Sequence, residues 1–313
     1  MPLSEMEAYR PPQTAEADLD RFWEETLAQA ATVPFNVETR PLEYPADKAG
    51  IYELSYDGWG GARIKSLFIL PAGGGPFPVL VYYNPYNYLL GYPYQFLHWT
   101  LQGYAVLAVS VRGQLGGSTD VSTYEGGHTR GWMTAGILDP YSYYYRGVYV
   151  DCVRALDILA ERPEVDAERM AVVGLSQGGG LSLAVAALSA RPCLCMAEIP
   201  YLCHIRRGVD LAERPPYLEI REYVRFYPDR LEQCFRTLSY FDNLNLCTRI
   251  TCPTLMNVGL LDDICPPSTG FAVYNHLTCV KEMVVYPYHN HEFIPPQVEK
   301  QMVWAKRYLA RQN

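Results

Sequence analysis

The stretch GLSQGGG at 174–180 follows MAVV at 170–173, a short apolar run with β propensity, and precedes LSLAVAALSA at 181–190, a Leu- and Ala-rich helix former. Strand, tight turn and helix in that order carry Ser176 to the apex of a turn too sharp for ordinary backbone angles. Gly174 and Gly178 are small enough to let the chain cross itself there. The turn presents the Ser176 hydroxyl above the sheet edge. It also leaves the backbone N–H of Gln177 at the helix start, where developing negative charge is favoured. A bare G-x-S-x-G is common by chance; its place between strand and helix reads as a nucleophile rather than a glycine-rich structural turn.

The rest of the chain fits that opening. Residues 51–58 and 63–71 read as two strands joined by a WGG turn, and 78–84 and 105–111 are continuous apolar runs suited to strands buried on both faces. Further strands are expected at 193–200, 253–259 and 281–287. Helices are expected at 17–32, 94–103, 147–163, 181–190, about 270–277 and 297–311. Strands and helices alternate with long crossovers, so the sheet is mostly parallel with helices on both faces. With the elbow, this is the pattern of an α/β-hydrolase fold. A single domain over 1–313 is expected, with an N-terminal arm and helix in 1–50 and a polar, aromatic, helical insertion at about 201–250 serving as a cap or subunit contact.

Composition narrows the function. Of 313 residues, 49% are hydrophobic and 19% charged, enough for a large core. The net charge of −8 argues against a nucleic-acid or anionic-membrane partner. The first twenty residues lack a basic segment followed by an apolar one, so no signal peptide is read, and no apolar run approaches the ~18 residues of a membrane span. Nine cysteines, an odd number without a C-x-x-C pair, suggest reduced thiols and a cytoplasmic protein. No metal or cofactor is expected, since the Cys and His residues show no ligand spacing. The 26 tyrosines are mostly packing residues, but the tracts at 82–94 and 141–145 are dense enough to suggest a pocket rim.

Downstream of Ser176 come acid and base in the order that the fold uses. The strand at 253–259 ends in GLLDDICPP, which places Asp262 and Asp263 on a loop at a strand's carboxyl end. The next strand ends in YHNHEF, which places His289 and His291 on the neighbouring loop. An isolated loop Asp or His is ordinarily a solvated or capping group. Nucleophile, acid and base each at a strand end, in order, point to catalysis. Pattern alone leaves Asp262 and Asp263 open, and likewise His289 and His291.

GLSQGGG, SYFDNLN at 239–245, GLLDDICPPS and PYHNHE together resemble the acetyl xylan esterase / cephalosporin C deacetylase family, carbohydrate esterase family seven. VRGQLGGSTD at 111–120 carries that family's Arg-Gly-Gln element, and the likeness runs from about 79 to 292. The resemblance implies Ser176 as nucleophile, Asp262 as the triad acid and His291 as the base, with Glu292 completing the family's His-Glu pair. It implies an oxyanion hole from the backbone N–H groups of Tyr86 and Gln177. Pro85 stands before Tyr86 where a glycine is common, and Asp263 replaces a residue often amidic. Arg112 and Gln114 are read as braces of the surrounding loops, and His128 and His204 as packing or interface residues. The implied activity is removal of acetyl groups from small acetylated sugars and antibiotic esters, in a homohexamer whose sites face an inner cavity.

Two other readings remain at this point. One is a peptidase or broader carboxylesterase on the same fold; an oligopeptidase usually adds a propeller domain, for which this chain has no room. The other is a non-catalytic binding protein of hydrolase fold, a class that generally lacks a member of the triad.

Overall fold

A computed structural model describes residues 1–310. Its sheet is built from β1 (Glu38–Pro41), β2 (Ala49–Asp57), β3 (Arg63–Pro71), β4 (Phe77–Tyr83), β5 (Ala105–Val109), β6 (Val165–Leu175), β7 (Pro192–Glu198), β8 (Thr254–Gly259) and β9 (Lys281–Tyr286). The order across the sheet is β1-β2-β3-β5-β4-β6-β7-β8-β9. From β5 to β9 every neighbouring pair is parallel, while β1, β2 and β3 add an antiparallel flank.

Its helices are α1 (Leu3–Glu7), α2 (Leu19–Ala31), α3 (Leu97–Thr100), α4 (Tyr144–Ala160), α5 (Gln177–Leu188), α6 (Ile205–Leu211), α7 (Tyr217–Phe226), α8 (Leu231–Ser239), α9 (Asn243–Leu246), α10 (Pro267–His276) and α11 (Pro295–Leu309). Alternation along the strands divides the core between the two faces. Val79, Val81 and Tyr83 of β4, with Leu107 and Val109 of β5 and Val172 of β6, pack towards α2, α4 and α5. Leu80, Val106, Ala108, Ala171 and Val173 point the other way, onto Trp99 of α3 and Trp304 and Leu309 of α11. Each fully buried aliphatic side chain contributes on the order of 2 kcal/mol.

β4 leads to β5 on one side of itself, whereas β6 lies on its other side. The loops leaving the carboxyl ends of β4 and β6 therefore part, and they open a crevice at the point where open α/β sheets bind ligands. Tyr86 follows β4 and Ser176 follows β6.

Several elements differ from the sequence expectation. The helix expected at 94–103 shrinks to α3, one turn preceded by a 3-10 turn at Pro93–Gln95. β6 begins at Val165, because Phe77 pairs with Val165 and draws the polar residues before Met170 into the strand. α1 and β1 carry no periodic pattern and were not expected. α11 ends at Leu309, and the expected end of that helix, Arg311, lies outside the described residues.

The N-terminal residues are fastened by side chains. The Trp23 indole donates to the Tyr240 carbonyl at 2.9 Å, Tyr240 donates its hydroxyl to Asp18 at 2.6 Å, and Asn275 holds the carbonyls of Met6 and Tyr9. His204 stacks on Tyr9. His128 lies exposed on the surface. The 141–145 tract divides: Tyr141 is exposed, whereas Tyr143, Tyr144 and Tyr145 are buried. Those three hydroxyls donate to the Met133 carbonyl, the Arg112 carbonyl and the Gln177 amide oxygen. The nine cysteines carry free thiols, most of them buried. No helix among the described residues is long and apolar enough to cross a membrane.

Candidate active site

The elbow takes the strained form that its sequence demands. Ser176 has φ 59° and ψ −116°, and its N–H donates to the Glu198 carbonyl at 2.9 Å. A Cβ on Gly178 would collide with the Tyr83 carbonyl, and one on Gly174 with the Gly178 backbone, so neither position can carry a side chain. The serine is 5% exposed.

Its hydroxyl meets the His291 ring, with Nε2 to Oγ at 2.8 Å. The other ring nitrogen, Nδ1, lies 2.8 Å from Asp262 Oδ2. Asp262 Oδ1 accepts the N–H groups of Ile264 and Cys265, which fixes its carboxylate in a turn, and its side chain is 1% exposed. A carboxylate on Nδ1 sets the tautomer that leaves Nε2 as the acceptor for the serine proton. The choice left open by pattern is made by this turn: Asp263 faces outward and pairs with Arg214 at 2.6 Å. That bond holds the Asp263 carboxyl below its usual range.

His289 lies apart from the serine and takes the Glu292 carboxylate at 2.9 Å. Glu292 therefore sits on His289 rather than on His291.

The Gln177 N–H opens α5, where no intrahelical acceptor exists, and the Tyr86 N–H has no intramolecular acceptor among the described residues. The loop carrying Tyr86 is pinned from both ends. Gln177 Nε2 donates to the Asn84 carbonyl at 3.1 Å, and the Asn87 N–H donates to Gln114 Oε1 at 2.9 Å. The two glutamines join through reciprocal amide bonds of 3.0 and 3.1 Å. Gln114 thus ties the loop after β4 to the elbow after β6. Arg112 is 1% exposed and grips Asp151 bidentately at 2.6 and 2.8 Å while donating to the Trp59 carbonyl. It also pairs with Asp120 at 3.5 Å.

Three further groups carry no sequence signal. Burial holds the thiol of Cys265, in the turn after Asp262, far above the usual thiol range, so it packs as a neutral group. Glu219 of α7 accepts the Tyr86 hydroxyl at 2.8 Å. Burial pushes the Glu219 carboxyl up to about 6. Glu198, whose carbonyl holds the Ser176 N–H, accepts from Gln301 Nε2 at 2.8 Å and leaves its second carboxylate oxygen unpartnered. No group of His, Cys, Asp or Glu side chains among the described residues is placed to hold a metal ion.

Residues 1–308 match the family model described as acetyl xylan esterase. The chain belongs to that family. It is accordingly a carboxylic ester hydrolase with an α/β-hydrolase sheet. It is similar to the acetyl xylan esterase from Paenibacillus sp. R4, at 45% identity over 99% of this chain and 100% of that one, with a TM-score of 0.96. Acetyl xylan esterase 1 from Thermoanaerobacterium sp. JW/SL YS485 matches at 34% identity over 99% of both chains, TM-score 0.94. The acetyl esterase Axe7A of Xylanibacter ruminicola is 29% identical over 93% of this chain and 67% of its own length.

Glu198 provides a test of the elbow's support. Burial raises its carboxyl from the ordinary 4.5 to about 7, with the Gln301 hydrogen bond opposing. The folded value exceeds the unfolded one, so the protonated form stabilises the fold below the unfolded pKa, and that contribution is lost as pH rises through about 7. Glu198→Gln, neutral at every pH, is expected to melt above the wild type at about pH 8 and to lose that advantage towards about pH 5. Calorimetry at both values checks this; an advantage independent of pH would mean that Glu198 does not titrate in the fold.

Proposed function

We propose that this protein is a serine esterase that removes O-acetyl groups from small acetylated sugars, xylo-oligosaccharides first among them, through an acetyl-enzyme. The observation that carries the reading is the continuous chain Ser176–His291–Asp262, with both hydrogen bonds at 2.8 Å. In this reading Ser176 Oγ attacks the acetyl carbonyl while His291 Nε2 takes its proton, and Asp262 stabilises the resulting imidazolium. The tetrahedral oxyanion lies between the N–H groups of Gln177 and Tyr86, each such donor lowering the barrier by ~3 kcal/mol. His291 returns the proton to the departing sugar hydroxyl. Water, deprotonated by the same ring, then releases acetate and restores the serine.

The family and its acetyl xylan esterase relatives support the sugar ester as substrate. Cephalosporin-type acetyl esters belong to the same proposal, since they present the same acetyl carbonyl to the same groups. So do the homohexamer, which rests on the resemblance of the motifs, and the cytoplasmic setting, which rests on the nine cysteines without a C-x-x-C pair. Sedimentation of the purified protein tests the assembly.

The substrate reading is tested with acetylated xylobiose, cephalosporin C, a long-chain p-nitrophenyl ester and an N-acyl peptide p-nitroanilide. Acetate release from the first two, with little turnover of the others, is expected. Preference for the anilide would replace the proposal with a peptidase, and preference for the long acyl chain with a broad carboxylesterase.

A further inference from the structure

Tyr86 is held in place by its phenol as well as by its loop. The hydroxyl donates to Glu219, whose two carboxylate oxygens lie at 2.8 and 3.0 Å, and accepts the Trp132 N–H at 2.5 Å. Glu219 Oε2 also accepts the Met133 N–H at 3.1 Å. The carboxylate fills the space beside Gly131, whose φ is +99° and where a Cβ would collide with it. One side chain from α7, in the inserted segment after β7, therefore joins the ring of Tyr86 to the 131–133 turn. Sequence separation between the bonded partners is 133 residues.

Anchoring the Tyr86 phenol at its far end restrains the position of Cα, and through it the backbone N–H, with only the χ1 and χ2 torsions between them. A donor acts on a developing oxyanion only if it is already aimed there, and a misplacement of about 1 Å can cost ~100-fold. We infer that Glu219 is a positioning residue of the oxyanion hole: by anchoring the Tyr86 phenol, it aims the Tyr86 backbone N–H at the reacting carbonyl oxygen. The inference rests on the reading of Tyr86 as an oxyanion donor. It assigns to the inserted segment a part in the reaction. Glu219 itself touches neither serine nor substrate.

The test is a double-mutant cycle on Glu219 and Tyr86. Its readout is the rate at which a small alkyl fluorophosphonate labels Ser176, because the phosphoryl oxygen occupies the same hole whichever ester is preferred. Failure of the sugar-ester reading thus leaves this test standing. Glu219→Ala is expected to slow labelling about 10-fold or more, and kcat on an acetyl ester by a similar factor with KM little changed. Glu219→Gln keeps an acceptor for both donors and is expected to stay within about threefold of wild type. Tyr86→Phe removes the phenol, and adding Glu219→Ala to it is expected to slow labelling no further. Should Glu219→Ala not fold, Glu219→Asp withdraws the carboxylate from the phenol while keeping its charge, and the same cycle is run on it. Wild-type labelling by Glu219→Ala, or effects that multiply in the double variant, would overturn the inference.

Discussion

Replacing Ser176 by alanine is expected to lower acetate release from acetylated xylobiose by roughly 10⁴-fold or more, with melting temperature and substrate affinity little changed. The size follows from the proposed division of labour. Without Oγ no acyl-enzyme forms, and His291 loses the proton that it is placed to receive at 2.8 Å. What remains is the hole between Gln177 and Tyr86 acting on a water molecule. The fold should tolerate the change. The strain at φ 59° belongs to the backbone and persists in alanine, and the Ser176 N–H keeps its bond to the Glu198 carbonyl. The variant therefore separates binding from chemistry. Equal acetate release by both proteins would remove Ser176 from the reaction and overturn the acetyl-enzyme mechanism.

How far the sequence leads depends on the range of the interactions involved. The elbow is legible because strand, crossing and helix lie within one short segment, and the two glycines are forced by contacts among 174–178 and the adjacent β4. Asp262 and His291 are legible as candidates because each follows a buried strand. Choosing between neighbours is a different matter. Asp262 faces inward because Ile264 and Cys265 turn their N–H groups onto it, while Asp263 is drawn outward by Arg214 from 49 residues away. Glu219 is not legible at all, for nothing near it in sequence marks the tie to Tyr86. The buried tyrosines mislead in part for the same reason. Tyr143, Tyr144 and Tyr145 look like a rim in sequence, yet each finds a remote acceptor inside the core.

The adjacent aspartates supply the sharpest contrast for the proposed site. Asp262→Asn is expected to lower kcat by roughly 10³–10⁴-fold. An amide at that position can still accept from Ile264 and Cys265, so the loop should keep its shape. Its NH₂ group would then face His291 as a donor, favouring the tautomer with the proton on Nε2. That ring cannot take the proton of Ser176, and a neutral amide does not stabilise the imidazolium. Asp263→Asn removes only a partly exposed ion pair with Arg214, a contact worth on the order of 1 kcal/mol or less, and is expected to leave kcat within a few-fold of wild type. Steady-state kinetics of the two variants, side by side with their melting temperatures, decide the matter. A large loss in Asp263→Asn with a small one in Asp262→Asn would reverse the assignment. Comparable losses in both would locate the cause in the loop that they share, instead of in the bond between Asp262 and His291.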